Sequence, residues 1–242
     1  MRTVFGFFDF VRELFIDRKI IFGLSKNDFK SKYTNSLFGI AWAFVLPLII
    51  ILVLWFVFQV GFKSVPVDGV PFILWYIPAF LAWNFYSEAL GTASACIFDY
   101  SYLVKNMQFR VSALPIVKII SSSFVHFFFI AFIFFIYCIY GWFPNIYNIQ
   151  IVYYYFCTVM LLIGSAWLFS SLAVFSKDIL NLIQLIVQVG FWTAPLIWNP
   201  DTLPLNVKRA FQVLPTYYIC AGYRETFSDR VWFWEHSILT LY

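Results

Sequence analysis

The feature that most constrains this chain is a run of 58 residues, Ile119 to Ser176, that contains no Asp, Glu, Lys or Arg. A charged side chain at the centre of a bilayer costs at least about 2.5–3.5 kcal/mol, so charge-free runs of this length are typical of membrane spans. As one helix the run would be about 87 Å long, far more than the roughly 30 Å of hydrocarbon in a bilayer. The turn signal Gly141–Asn145 therefore predicts two spans, near 119–140 and 149–175.

The same reading of uncharged runs predicts further spans over 36–62, 70–98 and 179–198. Within 70–98, Glu88 alone interrupts the aliphatic and aromatic run. A last apolar run, 231–242, is too short to cross a bilayer, and we expect it to be a sixth span that this sequence truncates. The predicted fold is therefore an all-α integral membrane protein, with a six-span bundle over 36–242 of which five spans are complete.

Composition leads to the same class of protein. Of the 242 residues, 62% are hydrophobic and only 12% are charged, whereas an ordinary soluble domain carries about 25% charged residues. This excludes a cytosolic enzyme, a nucleic-acid-binding module and a disordered chain. The four cysteines lie mostly in apolar runs, without the short paired spacings of zinc or redox sites.

The distribution of Lys and Arg predicts the orientation. The segment before the first span and the loops after the second and fourth spans hold eleven of these residues, and the alternate segments hold five. Because positive charge concentrates on the cytoplasmic side, we expect a cytoplasmic amino terminus.

Residues 1–35 predict a cytoplasmic interfacial helix and an elbow. Val4, Phe7, Val11 and Leu14 recur at helical spacing on one face, which is typical of a helix lying in the membrane surface. The polar stretch after it turns the chain into the first span, and its candidate gate or elbow residues are Asp28, Lys30, Lys32 and Tyr33. The alternative is a simple anchor without a mechanical role.

Catalytic motifs are missing from the sequence. It contains no paired histidine ligands, no Gly-x-Ser-x-Gly elbow and no phosphate-binding loop, so the chain cannot hydrolyse ATP by itself. An integral-membrane glycosyl- or acyltransferase is therefore disfavoured. Glu88 and His126 are ionisable groups within spans, which leaves open an ion-coupled carrier or a structural role.

The remaining chemical signal is aromatic, with 32 Phe, 15 Tyr and 10 Trp. Many of these rings face lipid or belong to the interfacial belts. A pathway lined by rings would bind the C–H faces of sugars weakly and let them slide. The candidate channel aromatics are Trp42, Trp83 and Tyr86.

Several motifs resemble the membrane subunits of type-2 ATP-binding-cassette (ABC) exporters, and most closely the permeases that export O-antigen, capsule or teichoic-acid polymers. The motifs are Asp28 through Trp42 with Pro47; Tyr102 through Arg110 with Leu114-Pro115; the turn Phe175-Ser176-Lys177-Asp178; Ala194 through Trp198; and Tyr223-Arg224-Glu225. Their order agrees with the spans predicted from the charges.

The resemblance implies a homodimeric permease in the bacterial cytoplasmic (inner) membrane that exports a lipid-linked polysaccharide. It implies a separate nucleotide-binding ATPase subunit, which would hold ATP and Mg, so that this chain binds no cofactor or metal of its own. Contact with the ATPase is expected at Lys105, Arg110, Lys177 and Asp178. A drug or lipid exporter of the same superfamily is the alternative.

Overall fold

The computed structural model describes residues 12–34, 36–63, 69–102 and 110–234. The α-helices in these ranges are α1 (Arg18–Ser31), α2 (Trp42–Trp55), α3 (Phe72–Asp99), α4 (Leu114–Ile139), α5 (Gln150–Phe175), α6 (Asp178–Thr193), α7 (Leu205–Gln212) and α8 (Pro215–Phe227). The predicted all-α fold is confirmed. The start of the interfacial helix, Lys105 and most of the sixth-span run lie outside the described residues.

Within the part of the chain that the structure describes, three helical segments are long and apolar enough to cross a membrane. They are Gly39–Gly61, which contains α2, Val111–Ile139, which contains α4, and Ile146–Phe175, which contains α5. The α6 helix is apolar but shorter, with 16 residues. Large apolar side chains of α2 such as Leu46, Leu52 and Val53 are more than half exposed, as expected for a helix that contacts lipid rather than water.

The longest helix, α3, lies at the centre of the bundle and packs against α4, α5, α6 and α8. Its interior position explains why it carries polar residues in an apolar chain. The hydroxyls of Thr92 and Ser94 donate to carbonyls one turn earlier, so these groups are satisfied within the helix. The run 70–98 is therefore mainly a protein-packed helix rather than a lipid-facing one.

A proline inside α3 creates a contact that holds three helices together. Pro78 has no N–H, so the carbonyl of Leu74, four residues earlier, loses its helical partner. The buried Tyr137 hydroxyl of α4 donates to that carbonyl at 2.7 Å and lies 3.1 Å from the Ser228 hydroxyl, just after α8. This contact fixes α3, α4 and α8 at one end of the bundle.

The bundle has two ends, which we name after their contents. The elbow end contains Lys32, Asp99, Arg110 and Lys177. The hairpin end, at which the hairpin of α7 and α8 finishes, contains Val70, Gly141 and Ser228. From the hairpin end, α3 runs to the elbow end, α4 returns, α5 runs back again, and α6 starts at the elbow end. At the elbow end, Gly39 adopts a left-handed φ of 51° as the chain turns into α2, a conformation that favours glycine.

The hairpin formed by α7 and α8, which we call the re-entrant hairpin, enters the bundle. Its tip at Pro215 and Thr216 lies beside Trp83 and Tyr86, midway along α3. From there α8 runs to the hairpin end. Gly222 allows α8 to pack closely against α5, because a Cβ at that position would lie 2.0 Å from Cε1 of Tyr154. The α8 arm of the hairpin is therefore part of the packed core, whereas α7 is largely exposed.

Three predicted boundaries differ from the structure. The α4 helix begins at Leu114 rather than 119, because Lys118 is paired inside the bundle instead of marking a loop. The α6 helix ends at Thr193 rather than 198, because Pro195 disfavours helical backbone at Ala194, whose ψ is 144°. The α2 helix begins at Trp42 rather than 36, after the turn at Gly39.

Candidate functional site

A group of five charged side chains and one tyrosine joins α1 to the bundle at the elbow end. This elbow cluster consists of Asp28, Lys32, Glu88, Asp99, Tyr100 and Lys118. The Lys118 ammonium lies 2.8 Å from Asp28 Oδ1 and 2.8 Å from Asp99 Oδ2, and the Tyr100 hydroxyl donates to Asp28 at 2.7 Å. Three elements, α1, the end of α3 and the start of α4, therefore meet at Asp28.

The centre of the elbow cluster is shielded from solvent. The side chains of Lys118 and Asp28 are only 10% and 11% exposed. Burial alone would raise the pKa of the Asp28 carboxyl, but hydrogen bonds from Lys118 and Tyr100 and the charge of Lys118 outweigh it, and the pKa lies below its usual value. Asp28 is therefore ionised at neutral pH and holds the Lys118 cation.

Glu88, which has no charged neighbour close in sequence, forms an ion pair with Lys32. Burial lowers the pKa of the Lys32 ammonium, but the charge and hydrogen bond of Glu88 raise it above its usual value. The pair ties the segment after α1 to the elbow-end half of α3. Glu88 thus acts as the partner of a cation in this structure.

A cavity of about 360 Å³ opens beside the elbow cluster. Besides cluster residues it is lined by Ser31, Thr92, Ser121 and Ser122. Of the predicted gate residues, Asp28 and Lys32 belong to the cluster, and Tyr33 is half-buried with its ring 5.8 Å from that of Phe29. The side chain of Lys30 is exposed and does not line the cavity.

Three of the residues predicted to contact the ATPase, Arg110, Lys177 and Asp178, lie on the exposed surface of the elbow end. In the turn between α5 and α6, the Ser176 hydroxyl accepts from the Asp178 backbone N–H at 3.2 Å, and the Lys177 ammonium lies 5.7 Å from the ring of Phe98. Arg110, four residues before α4, forms an ion pair with Glu13. The structure therefore gathers Arg110, Lys177 and Asp178 at one end, and Lys105 lies outside the described residues.

Two of the three predicted channel aromatics lie together in mid-bundle. The ring centroids of Trp83 and Tyr86 are 5.8 Å apart. They line an aromatic cavity of about 430 Å³ together with Leu161, Leu185, Ile186, Val189, Gly190, Thr193, Leu214, Pro215 and Thr216. Gly190 makes room for the indole, because a Cβ there would lie 2.4 Å from Trp83 Cη2.

Trp42 is placed elsewhere. It begins α2 at the elbow end, where its ring packs edge-on against Phe38 with centroids 5.6 Å apart. The aromatic cavity therefore combines α3, α5, α6 and the tip of the re-entrant hairpin, and α2 takes no part in it.

Sequence reasoning misplaced one functional candidate, Arg224. Counted above among the charges of an outer segment, it is only 5% exposed, and its guanidinium lies in the bundle core. The uncharged, largely apolar run from Tyr217 to Tyr223 before it was the available signal of burial. His126 is also buried: its Nε2 lies 2.9 Å from the Tyr223 hydroxyl, and its ring stacks on Phe85.

Comparison with known proteins identifies the family. A family model described as "ABC-2 type transporter" matches residues 20–228. The chain belongs to the ABC-2 type transporter family. The resemblance drawn from the sequence motifs is thereby confirmed at the level of the family.

Among the relatives of this ABC-2 transporter chain are proteins named O-antigen export system permease protein RfbA. Two from Klebsiella pneumoniae are 23% and 20% identical over 225 residues, which cover 89% of this chain and 83% of each relative. One from Myxococcus xanthus is 19% identical over 222 residues, 91% of this chain and 84% of the relative.

The ABC-2 family match includes every site described above apart from the Glu13 end of one ion pair. It runs from within α1 to the residue after α8. The chain is therefore a membrane protein of a transport family, and its elbow cluster, aromatic cavity and α5–α6 turn all lie within the family's common region.

Proposed function

We propose that this chain is the membrane-spanning permease subunit of an ATP-driven exporter of lipid-linked surface polysaccharide, such as O-antigen, capsule or teichoic acid. One observation carries the proposal: permeases named for O-antigen export align with about nine-tenths of the chain. The aromatic cavity supports it, because its lining combines the rings of Trp83 and Tyr86, residue types that bind sugar C–H groups, with the hydroxyl residues Thr193 and Thr216.

The energy source in this proposal is a separate ATPase subunit that binds ATP and Mg in the cytoplasm. The elbow end is then the cytoplasmic end, as the distribution of Lys and Arg predicts. Arg110, Lys177 and Asp178 are proposed contacts with the ATPase because all three side chains are at least half exposed or lie in an exposed turn there. Lys105 is proposed as a further contact from its position in the sequence.

The proposed assembly is a homodimer in the bacterial inner membrane. The exposed apolar surface of α2 and the exposed face of α6 supply the area that a second copy or lipid would cover. A wide cargo such as a polymer needs a pathway larger than the aromatic cavity of one chain, and two facing copies would provide it.

The elbow cluster is proposed to hold α1 against the bundle at the cytoplasmic mouth of the pathway. Its buried pair, Lys118 and Asp28, fixes the angle at which α1 meets α4. An ion-coupled carrier that depends on Glu88 is less well supported, because the Lys32 ammonium already forms an ion pair with that carboxylate.

The test of the proposed function is genetic. Deleting the gene in its native host should remove the polysaccharide from the cell surface and cause the lipid-linked polymer to accumulate inside. Expression of the full-length chain should restore the surface polymer, whereas a Trp83→Ala chain should restore less of it at equal membrane abundance. Unchanged surface polymer in the deletion strain would contradict the proposal.

A further inference from the structure

Arg224 joins three separate parts of the molecule. From α8, its Nε donates to the carbonyl of Trp75 in α3 at 3.2 Å, and its guanidinium carbon lies 3.5 Å from the centroid of the Trp75 ring. Its Nη2 donates to the carbonyl of Pro195 and lies 3.4 Å from that of Leu196, in the chain segment after α6. One side chain of α8 thus contacts both α3 and the segment that follows α6.

The geometry of these contacts requires a guanidinium. Arginine has five N–H donors arranged in a rigid plane, so it can reach carbonyls on two elements while its face stacks on an indole. Lysine has a single nitrogen and cannot span both sets of carbonyls from one position. Since burying a charge is costly without such partners, an arginine here indicates a specific positional role.

The element next to the carbonyls that Arg224 binds, α6, packs on α3 and α5 along one face. Among its 16 residues, all of them described, Ile183 alone is buried. Its first residue, Asp178, belongs to the exposed turn at the elbow end, and its last residue, Thr193, precedes the carbonyls that Arg224 binds. Because α6 is one continuous helix with most of its surface exposed, a displacement of its first residue reaches the carbonyls beyond its last residue.

We propose that Arg224 is a positioning residue that couples α6 to the re-entrant hairpin. Displacement of α6 at the Lys177–Asp178 turn moves the Pro195 and Leu196 carbonyls, and Arg224 carries that movement into α8. The tip of the hairpin at Thr216 then moves relative to Trp83 and changes access to the aromatic cavity. This inference rests on the proposed function, because it takes the ATPase as the source of the displacement.

The test follows the tip of the hairpin by thiol labelling in the complete complex with its ATPase. The four native cysteines are replaced by alanine, and Thr216→Cys supplies a single thiol. A membrane-impermeant maleimide is added from outside, either without nucleotide or with ATP hydrolysis trapped by vanadate. With Arg224 present, the labelling rate should differ between the two states by about tenfold, in the range of ordinary coupling between sites.

The arginine is then replaced in the same background by Lys and by Gln. Arg224→Lys should preserve the amount of complex and its ATP hydrolysis, but the labelling rate should no longer depend on nucleotide and polymer export should fall. The matched control is Arg230→Lys, an exposed arginine near the hairpin end that stands 5.7 Å from the ring of Trp142. This control should keep the nucleotide-dependent difference.

Three results would overturn the inference. The first is equal labelling of Thr216→Cys in both nucleotide states with Arg224 in place. The second is an Arg224→Lys chain that keeps the full difference. The third is a failure of both Arg224 variants to accumulate, which would assign the residue to folding. If no ATPase accompanies the chain, the proposed function fails first, before any labelling is done.

Discussion

Individual residues determine how this apolar chain carries its buried charges. Lys118 is held by two carboxylates, and Arg224 by carbonyls and an indole face. In each case the partners come from other parts of the chain, so the charge depends on tertiary packing. Removing a partner from such a site costs more than removing an exposed charge, because the remaining group stays buried.

Lys118→Met tests this cost at the elbow cluster. It leaves Asp28 and Asp99 without their shared cation, and breaking a buried pair in this way destabilises by about 3–5 kcal/mol. We expect a lower unfolding temperature in detergent and faster proteolysis of α1. The exposed Lys177→Met is the matched control and should change both by little. Equal effects of the two substitutions would contradict a buried role for Lys118.

The pKa directions at the elbow cluster predict how attachment of α1 depends on pH. The pKa of Asp28 lies below its usual 3.8, so its stabilisation is complete above that value and is lost only as the pH falls through the lower folded pKa. The pKa of Lys32 lies above its usual 10.5, so its stabilisation is complete below that value and is lost as the pH rises through the higher folded pKa.

Proteolytic release of α1 should therefore be constant between about pH 5 and 9. The measurement is limited proteolysis of the detergent-solubilised protein, with the protease rate at each pH calibrated on an unstructured peptide. A transition near neutral pH would show that another titrating group controls the attachment of α1.

At the scale of elements, close approach between helices depends on glycines. Gly222 brings α8 against Tyr154 of α5, and Gly190 brings α6 against Trp83 of α3. Both glycines belong to the elements that surround the aromatic cavity or form the re-entrant hairpin. The shape of this half of the molecule thus depends on the absence of a Cβ at two positions.

Gly222→Ala should destabilise the protein by about 1–3 kcal/mol, the usual cost of overpacking, because the new methyl group would overlap the ring of Tyr154. Gly164→Ala in α5 is the control, since a Cβ there meets nothing within 4 Å and alanine favours a helix. Thermal unfolding in detergent measures both. A Gly222→Ala protein as stable as the Gly164→Ala protein would show that α8 does not approach α5 this closely.

For the molecule as a whole, uncharged runs in the sequence were enough to predict an all-helical membrane fold, and short motifs were enough to indicate the family. The uncharged runs did not predict the position of a charged residue whose charge is neutralised by tertiary contacts. The charge count places Lys118 in a loop and Arg224 in an outer segment, although each is buried with partners far away in the sequence. The pairing of Glu88 with Lys32 likewise could not be predicted from local sequence patterns, since 56 residues separate them.

The aromatic cavity shows a second limit of pattern reading. Trp42, Trp83 and Tyr86 are equivalent as rings in apolar runs, so no local pattern separates them. Only packing shows that Trp83 and Tyr86 share a cavity with the hairpin tip while Trp42 lies at the elbow end. The neighbours of a ring are set by helix packing, which a single sequence does not encode in its spacing.

The most direct test of the central claim is transport in inverted inner-membrane vesicles that contain the full-length chain and its ATPase. Lipid-linked polysaccharide is presented on the outer, formerly cytoplasmic, face, and its protection from an added glycosidase is measured. The account predicts ATP-dependent protection that requires this chain and is lost when the ATPase cannot hydrolyse ATP. Polymer that stays accessible with ATP present, while both subunits are intact and hydrolysis proceeds, would contradict it.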